Sequence, residues 1–240
     1  MSFWHAVRGV FAEAGIILFV LDARMPDLSM NREIKEKIVE FHKESIMVFN
    51  KVDLITHEQR KALQAQFPHA LFVSGVKNRG MKELRIRLQI ITKRLAQEGK
   101  SPKVGVVGYP NVGKSSIINA LSRRARTATA SYAGTTKGIQ WVKTGTLKIL
   151  DSPGVIPFED KERKLGILGA KNPEKLKNPE KVAMEIVKYA RGENVSVDEQ
   201  YAILEEYGRK GGMLKKGGVV DITKAALTLI REWTRGKLKL

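Results

Sequence analysis

The stretch Gly108-Tyr109-Pro110-Asn111-Val112-Gly113-Lys114-Ser115 decides the fold. It matches the pattern GxxxxGK[ST] and stands between a β-rich run, Val104–Val107, and a helical pattern that opens near Lys114. Glycines at the two ends of such a loop let backbone N–H groups turn inward on an anion, and the N-terminus of the following helix adds a favourable dipole. Lys114 is then placed to reach the β- and γ-phosphates of a nucleotide, and the Ser115 hydroxyl to bind Mg²⁺. Asn111, Val112, Gly113 and Ser116 complete the expected cradle.

Outward from this loop the chain alternates. Upstream, strand-like runs at Ile16–Leu21, Ile46–Phe49 and Leu71–Val73 are separated by helical patterns at about 32–43 and 57–66. Further helices are expected over 3–14 and 80–97, and residues 98–102 read as a connector. Downstream, 139–143 and 146–150 form a hairpin about Thr144-Gly145. The alternation predicts an α/β domain with a mostly parallel sheet and helices on both faces. Beyond Asp151 the pattern is helical only. Asn172-Pro173-Glu174-Lys175 is echoed at 178–181 as a second helix start, and Ser196 with Glu199 forms a capping box. A last amphipathic helix spans Asp221 to Trp233. The expected division is a domain over 1–170 followed by a small, basic, all-α domain over 171–240.

Four further segments acquire meaning beside a phosphate loop. Asp151-Ser152-Pro153-Gly154 ends a strand, so Asp151 can orient Mg²⁺ through water and the Gly154 N–H can meet a γ-phosphate. Between the two motifs lie Thr135 and Thr136, and a threonine there can close over the metal; Thr136 is favoured. Asn50-Lys51-Val52-Asp53 follows the strand at 46–49. A carboxylate at Asp53 accepts from both N1–H and the exocyclic amine of guanine, a pair that adenine does not present. Ser74-Gly75 ends the next strand and can bring a backbone N–H near guanine O6. Together these segments specify GTP rather than ATP.

Their order is unusual. In common small GTPases the phosphate loop comes first and NKxD comes late; here NKxD and Ser74-Gly75 precede the phosphate loop. A circular permutation is tolerable because loops at the carboxyl ends of parallel strands share one crevice whatever the order of the strands in the chain. At this point the sequence resembles the circularly permuted GTPases of the YlqF/YawG group. The likeness rests on Asp22-Ala23-Arg24-Met25-Pro26 with Ser29 and Asn31, on the nucleotide motifs in permuted order, and on Gln140-Trp141. It extends to Lys224-Ala225-Ala226 and Arg235-Gly236-Lys237-Leu238. The resemblance implies GTP hydrolysis coupled to maturation of the large ribosomal subunit, with rRNA contacts from the helical domain. Val76 departs from the lysine common there.

Two positions bear on rate. Val155 follows the DxxG glycine, where Ras-like enzymes carry the glutamine that orients attacking water, so slow intrinsic hydrolysis is expected. In similar GTPases the residue at Asn111 helps bind K⁺ near the phosphates, and the resemblance makes Asn111 a K⁺ candidate.

Composition narrows the partner. The 240 residues carry 43 Lys+Arg against 25 Asp+Glu, a net +18. With 42% hydrophobic residues the chain can bury a core, and the absence of cysteine excludes disulfides and thiolate metal sites. The longest apolar run, 15–21, is too short to span a bilayer, and the four histidines show no metal spacing. A cytoplasmic protein, monomeric when free, is expected. Residues 1–76 are neutral, whereas 77–137 carry +12 and 161–240 carry +7. Such imbalance is the footprint of a polyanion, RNA or a ribonucleoprotein surface. Arg123, Arg124 and Arg126 lie on the segment leading to Thr136, which ties part of that charge to nucleotide state. A GTPase switch acting on another RNA or a membrane surface, and an RNA-binding module with vestigial hydrolysis, are the competing classes.

Overall fold

The computed structural model describes residues 3–122, 140–144, 146–152, 154–157, 160–191 and 194–240. These form two compact units, 1–157 and 158–240.

The first unit is built on β1 (Ile16–Asp22), whose seven residues are all buried. A strand apolar in all but its last residue suits the middle of a parallel sheet covered on both faces. It pairs in parallel with β2 (Glu44–Asn50) on one side and β4 (Lys103–Val107) on the other. Beyond β2 lies β3 (Leu71–Phe72); beyond β4 lies β6 (Leu147–Asp151), paired in turn with β5 (Gln140–Thr144) as the antiparallel edge. The order β3-β2-β1-β4-β6-β5 reverses its winding between β1 and β4. Loops leaving the carboxyl ends of strands at such a switch point diverge and open a crevice.

Helix α1 (Phe3–Glu13) lies against β4, where Gly105 leaves the room: a Cβ there would come within 2.6 Å of Val10. The short α2 (Pro26–Ser29) and α3 (Arg32–Glu40) connect β1 to β2. Helix α3 stops before the expected residue 43 because His42 takes a left-handed φ of 48° and Lys43 N–H returns to the Ile38 carbonyl. Helix α4 (His57–Gln66) begins in a capping box of Thr56 with Gln59. α5 (Met81–Gln97) runs on to the connector, and α6 (Lys114–Ser122) opens at the phosphate loop. Phe49 stacks on Phe72 at 5.3 Å and meets Phe67 at 5.0 Å, closing the core beside β3.

The second unit is helical: α7 (Glu162–Ile167), α8 (Pro179–Arg191), α9 (Val197–Lys210) and α10 (Ile222–Arg235). α10 buries Ala225, Ala226, Leu229, Ile230 and Trp233, one stripe of a 3.6-residue period. Trp233 therefore serves packing, with its indole N–H donating to the Ile167 carbonyl at 3.0 Å. Asp221 caps α10, and the Ser196–Glu199 capping box starts α9 as expected. Of the two Asn-Pro starts, 172–175 makes only a 3₁₀ turn and 178–181 opens α8. The units divide at 157/158 rather than at 170/171, because α7 packs on α8.

Candidate nucleotide site

The phosphate loop takes the backbone conformations its sequence allows. Gly108 and Gly113 have φ of 153° and 94°, and Asn111 takes a left-handed φ of 60°. At Gly108 a Cβ would lie 2.4 Å from the Val20 carbonyl oxygen, so β1 and the loop meet at van der Waals limit. Lys114 is buried, and its Nζ donates to the carbonyls of Tyr109 (2.8 Å) and Gly108 (3.1 Å). Burial pulls this ammonium down to about 8, against the opposing pull of Asp151.

Asn50 joins three of the motifs. Its Nδ2 donates to the carbonyls of Val112 (2.9 Å) and Gly113 (3.3 Å), and its Oδ1 accepts from Gly75 N–H (3.0 Å). Both glycines are required: a Cβ on Gly113 would fall 2.1 Å from Asn50 Nδ2, and one on Gly75 within 2.9 Å of the Ser116 and Ile117 backbone. Ser116 thus meets Ser74-Gly75 at the start of α6. Gly75 N–H donates to Asn50, and Ser74 N–H to the Arg79 carbonyl. Asp53, half-buried, sits in a 3₁₀ turn over 52–54. Val76, two-thirds exposed, offers an apolar surface where a lysine stem would be expected.

The DxxG segment closes on the phosphate loop from the other side. Asp151 Oδ2 is 3.4 Å from Ser115 Oγ, while its Oδ1 is buried with no hydrogen-bond partner among the described residues. Burial raises this carboxyl, and Lys114 and Ser115 counter it. An orphaned carboxylate oxygen beside a serine hydroxyl is a donor set of hard oxygens that fits Mg²⁺. Gly154 abuts Pro110, where a Cβ would come within 2.6 Å of the ring and backbone. Val155 N–H donates to the Gly108 carbonyl (3.1 Å), and its side chain is fully buried in the core. Thr135, Thr136, Arg123, Arg124 and Arg126 lie outside the described residues.

Two residues that the sequence offered only as marks of a resemblance, with no role, contribute to the site. Asn31, fully buried, caps α3 through Oδ1 and gives its Nδ2 to the Val155 carbonyl (3.4 Å). Asp22, also fully buried, pairs with Lys51 and Arg24 at 2.8 Å each. Burial would raise the Asp22 carboxyl, but Lys51 and Arg24 outweigh it and hold it at about 2. The signal was present: a carboxylate closing an all-apolar buried strand needs cationic partners.

A phosphate loop, an NKxD turn and a DxxG loop in one crevice give the fold of a P-loop GTPase domain whose strands are permuted. The family model described as 50S ribosome-binding GTPase matches residues 103–217. An uncharacterized GTP-binding protein of Methanocaldococcus jannaschii is 40% identical over 97% of this chain and 65% of its own length. Ribosome biogenesis GTPase A of Bacillus cereus is 28% identical over 93% of this chain and 83% of its own. The crystal structure of GNP-bound YlqF from T. maritima superposes with a TM-score of 0.64 at 25% identity, covering 98% of this chain and 94% of that one. In sequence and fold the chain is similar to the circularly permuted YlqF-like GTPases. It spans about half the length of the nucleolar GTP-binding proteins it also matches, 52% in the Pneumocystis carinii protein.

Proposed function

We propose that this protein binds and hydrolyses GTP and acts as an assembly factor on the large ribosomal subunit or its rRNA. The observation that carries the GTP reading is the Asn50 clamp, which holds the guanine-reading turn, Ser74-Gly75 and the phosphate loop together. The ribosomal reading rests on the family description and on the surplus of 43 basic over 25 acidic residues. Sucrose-gradient cosedimentation with ribosomal subunits tests it. Binding to the large subunit in a non-hydrolysable GTP analogue, weaker in GDP, is expected; no binding in either state contradicts it.

In hydrolysis, Lys114 leaves its loop carbonyls for the β- and γ-phosphates, a charge-assisted exchange in a dry site. Asp53 selects the base, the Gly113 N–H lies in the cradle, and the Gly154 N–H reads the γ-phosphate. Ser115, Asp151 and Thr136 would hold Mg²⁺, which would supply charge neutralisation at the phosphates. Contact at Gly154 is passed through 155–170 to the helical unit, giving a conformation that depends on nucleotide.

With Val155 turned into the core, no side chain at that position orients water. Intrinsic turnover is expected to be slow, and a K⁺ that Asn111 would help to hold would supply charge at the phosphates. Single-turnover hydrolysis is expected to run about tenfold or more faster in KCl than in NaCl, the scale of one added electrostatic contact in a dry site. Equal rates remove the ion from the mechanism.

The basic segment at Arg123, Arg124 and Arg126 couples RNA attraction to GTP. Charge reversal at Arg123 and Arg124 is expected to weaken cosedimentation mainly with the GTP analogue, and to steepen less with salt than wild type. Equal losses in both nucleotide states would make the cluster a constant basic surface.

A further inference from the structure

Lys51 belongs to the guanine-reading turn, yet its ammonium is held by a residue from another strand. Asp22 Oδ2 accepts from Lys51 Nζ (2.8 Å) and from an Arg24 guanidinium nitrogen (2.8 Å). Asp22 Oδ1 accepts from Arg24 Nε (3.0 Å) and from the Arg24 backbone N–H (3.1 Å). The side chains of Asp22, Arg24 and Lys51 are only 1%, 5% and 15% exposed. The two loops are also joined through their backbones, Ala23 N–H donating to the Asn50 carbonyl at 2.9 Å. Ser29 completes the support: its Oγ accepts from Asp22 N–H (3.0 Å) and donates to the Met25 carbonyl (2.9 Å).

Lys51 stands at φ 66°, a left-handed conformation that a lysine adopts only at a penalty of about 1 kcal/mol or more. A buried ion cluster is likewise a poor stabiliser, since apolar residues of similar volume often serve a fold as well or better. Two unfavourable choices at one turn call for a positional reason. The guanidinium fork fixes the orientation of a carboxylate, and a single ammonium cannot reproduce it.

We infer that Asp22, locked by Arg24, is a positioning residue for guanine recognition: it fixes the Lys51 side chain beside Asp53, so that base selectivity depends on a residue outside the NKxD turn. The inference rests on the reading of this crevice as a guanine-nucleotide site. Asp22 acts through Lys51 and touches no nucleotide itself.

The test is a double-mutant cycle read in GDP affinity, with inorganic tripolyphosphate as a ligand that lacks the base. Asp22→Asn is expected to weaken GDP about tenfold or more while tripolyphosphate binding stays within about twofold, the loss of one charge-assisted contact. In a Lys51→Met background the same substitution is expected to change GDP affinity less than about twofold. Arg24→Lys gives a second cycle, which decides the matter if Asp22→Asn does not fold. Equal weakening of GDP and tripolyphosphate, or an effect that survives in Lys51→Met, overturns the inference and leaves the cluster structural. Failure of the wild-type protein to bind GDP would instead strike the nucleotide reading itself.

Discussion

Asp53→Asn is expected to lower GDP affinity by about 10²–10⁴-fold and to create affinity for xanthosine diphosphate. Guanine presents two donors, N1–H and the exocyclic amine, to one carboxylate. Each charge-assisted hydrogen bond contributes about 1.5–3 kcal/mol, so the pair accounts for about 3–6 kcal/mol. Asparagine keeps one acceptor and sets an N–H₂ against the exocyclic amine, donor facing donor. Xanthine carries a carbonyl at that position, and the same amide then fits. Asp53 is half-buried on a 3₁₀ turn, with its backbone held by Leu54 N–H to the Lys51 carbonyl, so the fold should survive the change. Fluorescent-nucleotide displacement measures both affinities. A GDP affinity unchanged within about threefold would remove Asp53 from base recognition.

Lys114→Met separates function from stability. With Lys114 gone, the γ-phosphate loses its buried cation, and single-turnover hydrolysis should fall by about 10³-fold or more. Folding should respond in the opposite sense. Lys114 titrates at about 8 in the folded protein, down from 10.5, so holding it charged costs the fold about 3 kcal/mol below pH 8. The unfolded chain binds more protons between pH 8 and 10.5, so wild-type stability rises with pH across that window. The methionine variant lacks this titration. It should be as stable as wild type or more so at pH 7, with a flatter profile up to pH 10. The carbonyls of Gly108 and Tyr109 lose a donor and offset part of the gain. Denaturant melts without nucleotide, set beside hydrolysis rates, check both halves. A variant that is much less stable at pH 7 would show that Lys114 is a structural residue of the loop.

Most of the frame was legible because the first unit obeys simple periodicities. The run at 16–21 read as a strand, and the structure extends it by one residue to Asp22 and buries all seven residues. The phosphate loop was readable because glycine spacing and a following helix are local features. What escaped was long-range pairing of polar groups. Asn31 and Val155 are 124 residues apart, and no spacing rule joins them. Charge was read too generously for a related reason. Counting lysines and arginines on α5 says nothing about what each one reaches. Arg85 donates to the carbonyls of Ala120 and Leu121 at the end of α6, and Arg94 pairs with Glu44 and Glu98. On α10, Arg231 pairs with Glu174. Those cations also hold the protein together, whereas Lys82, Arg87 and Lys93 on α5, and Lys224 and Arg235 on α10, are among the exposed cations that a polyanion could meet.

The nucleotide site itself carries the account. That account stands or falls on whether motifs dispersed from Asp22 to Gly154 in permuted order make one guanine-nucleotide site. Competition against a fluorescent GDP analogue in Mg²⁺, with GDP and ADP as competitors, tests this most directly. Displacement by GDP with ADP weaker by about 10³-fold or more is expected, the discrimination that a site hydrogen-bonding one base shows against another. Equal displacement by both nucleotides, or by neither, would contradict it.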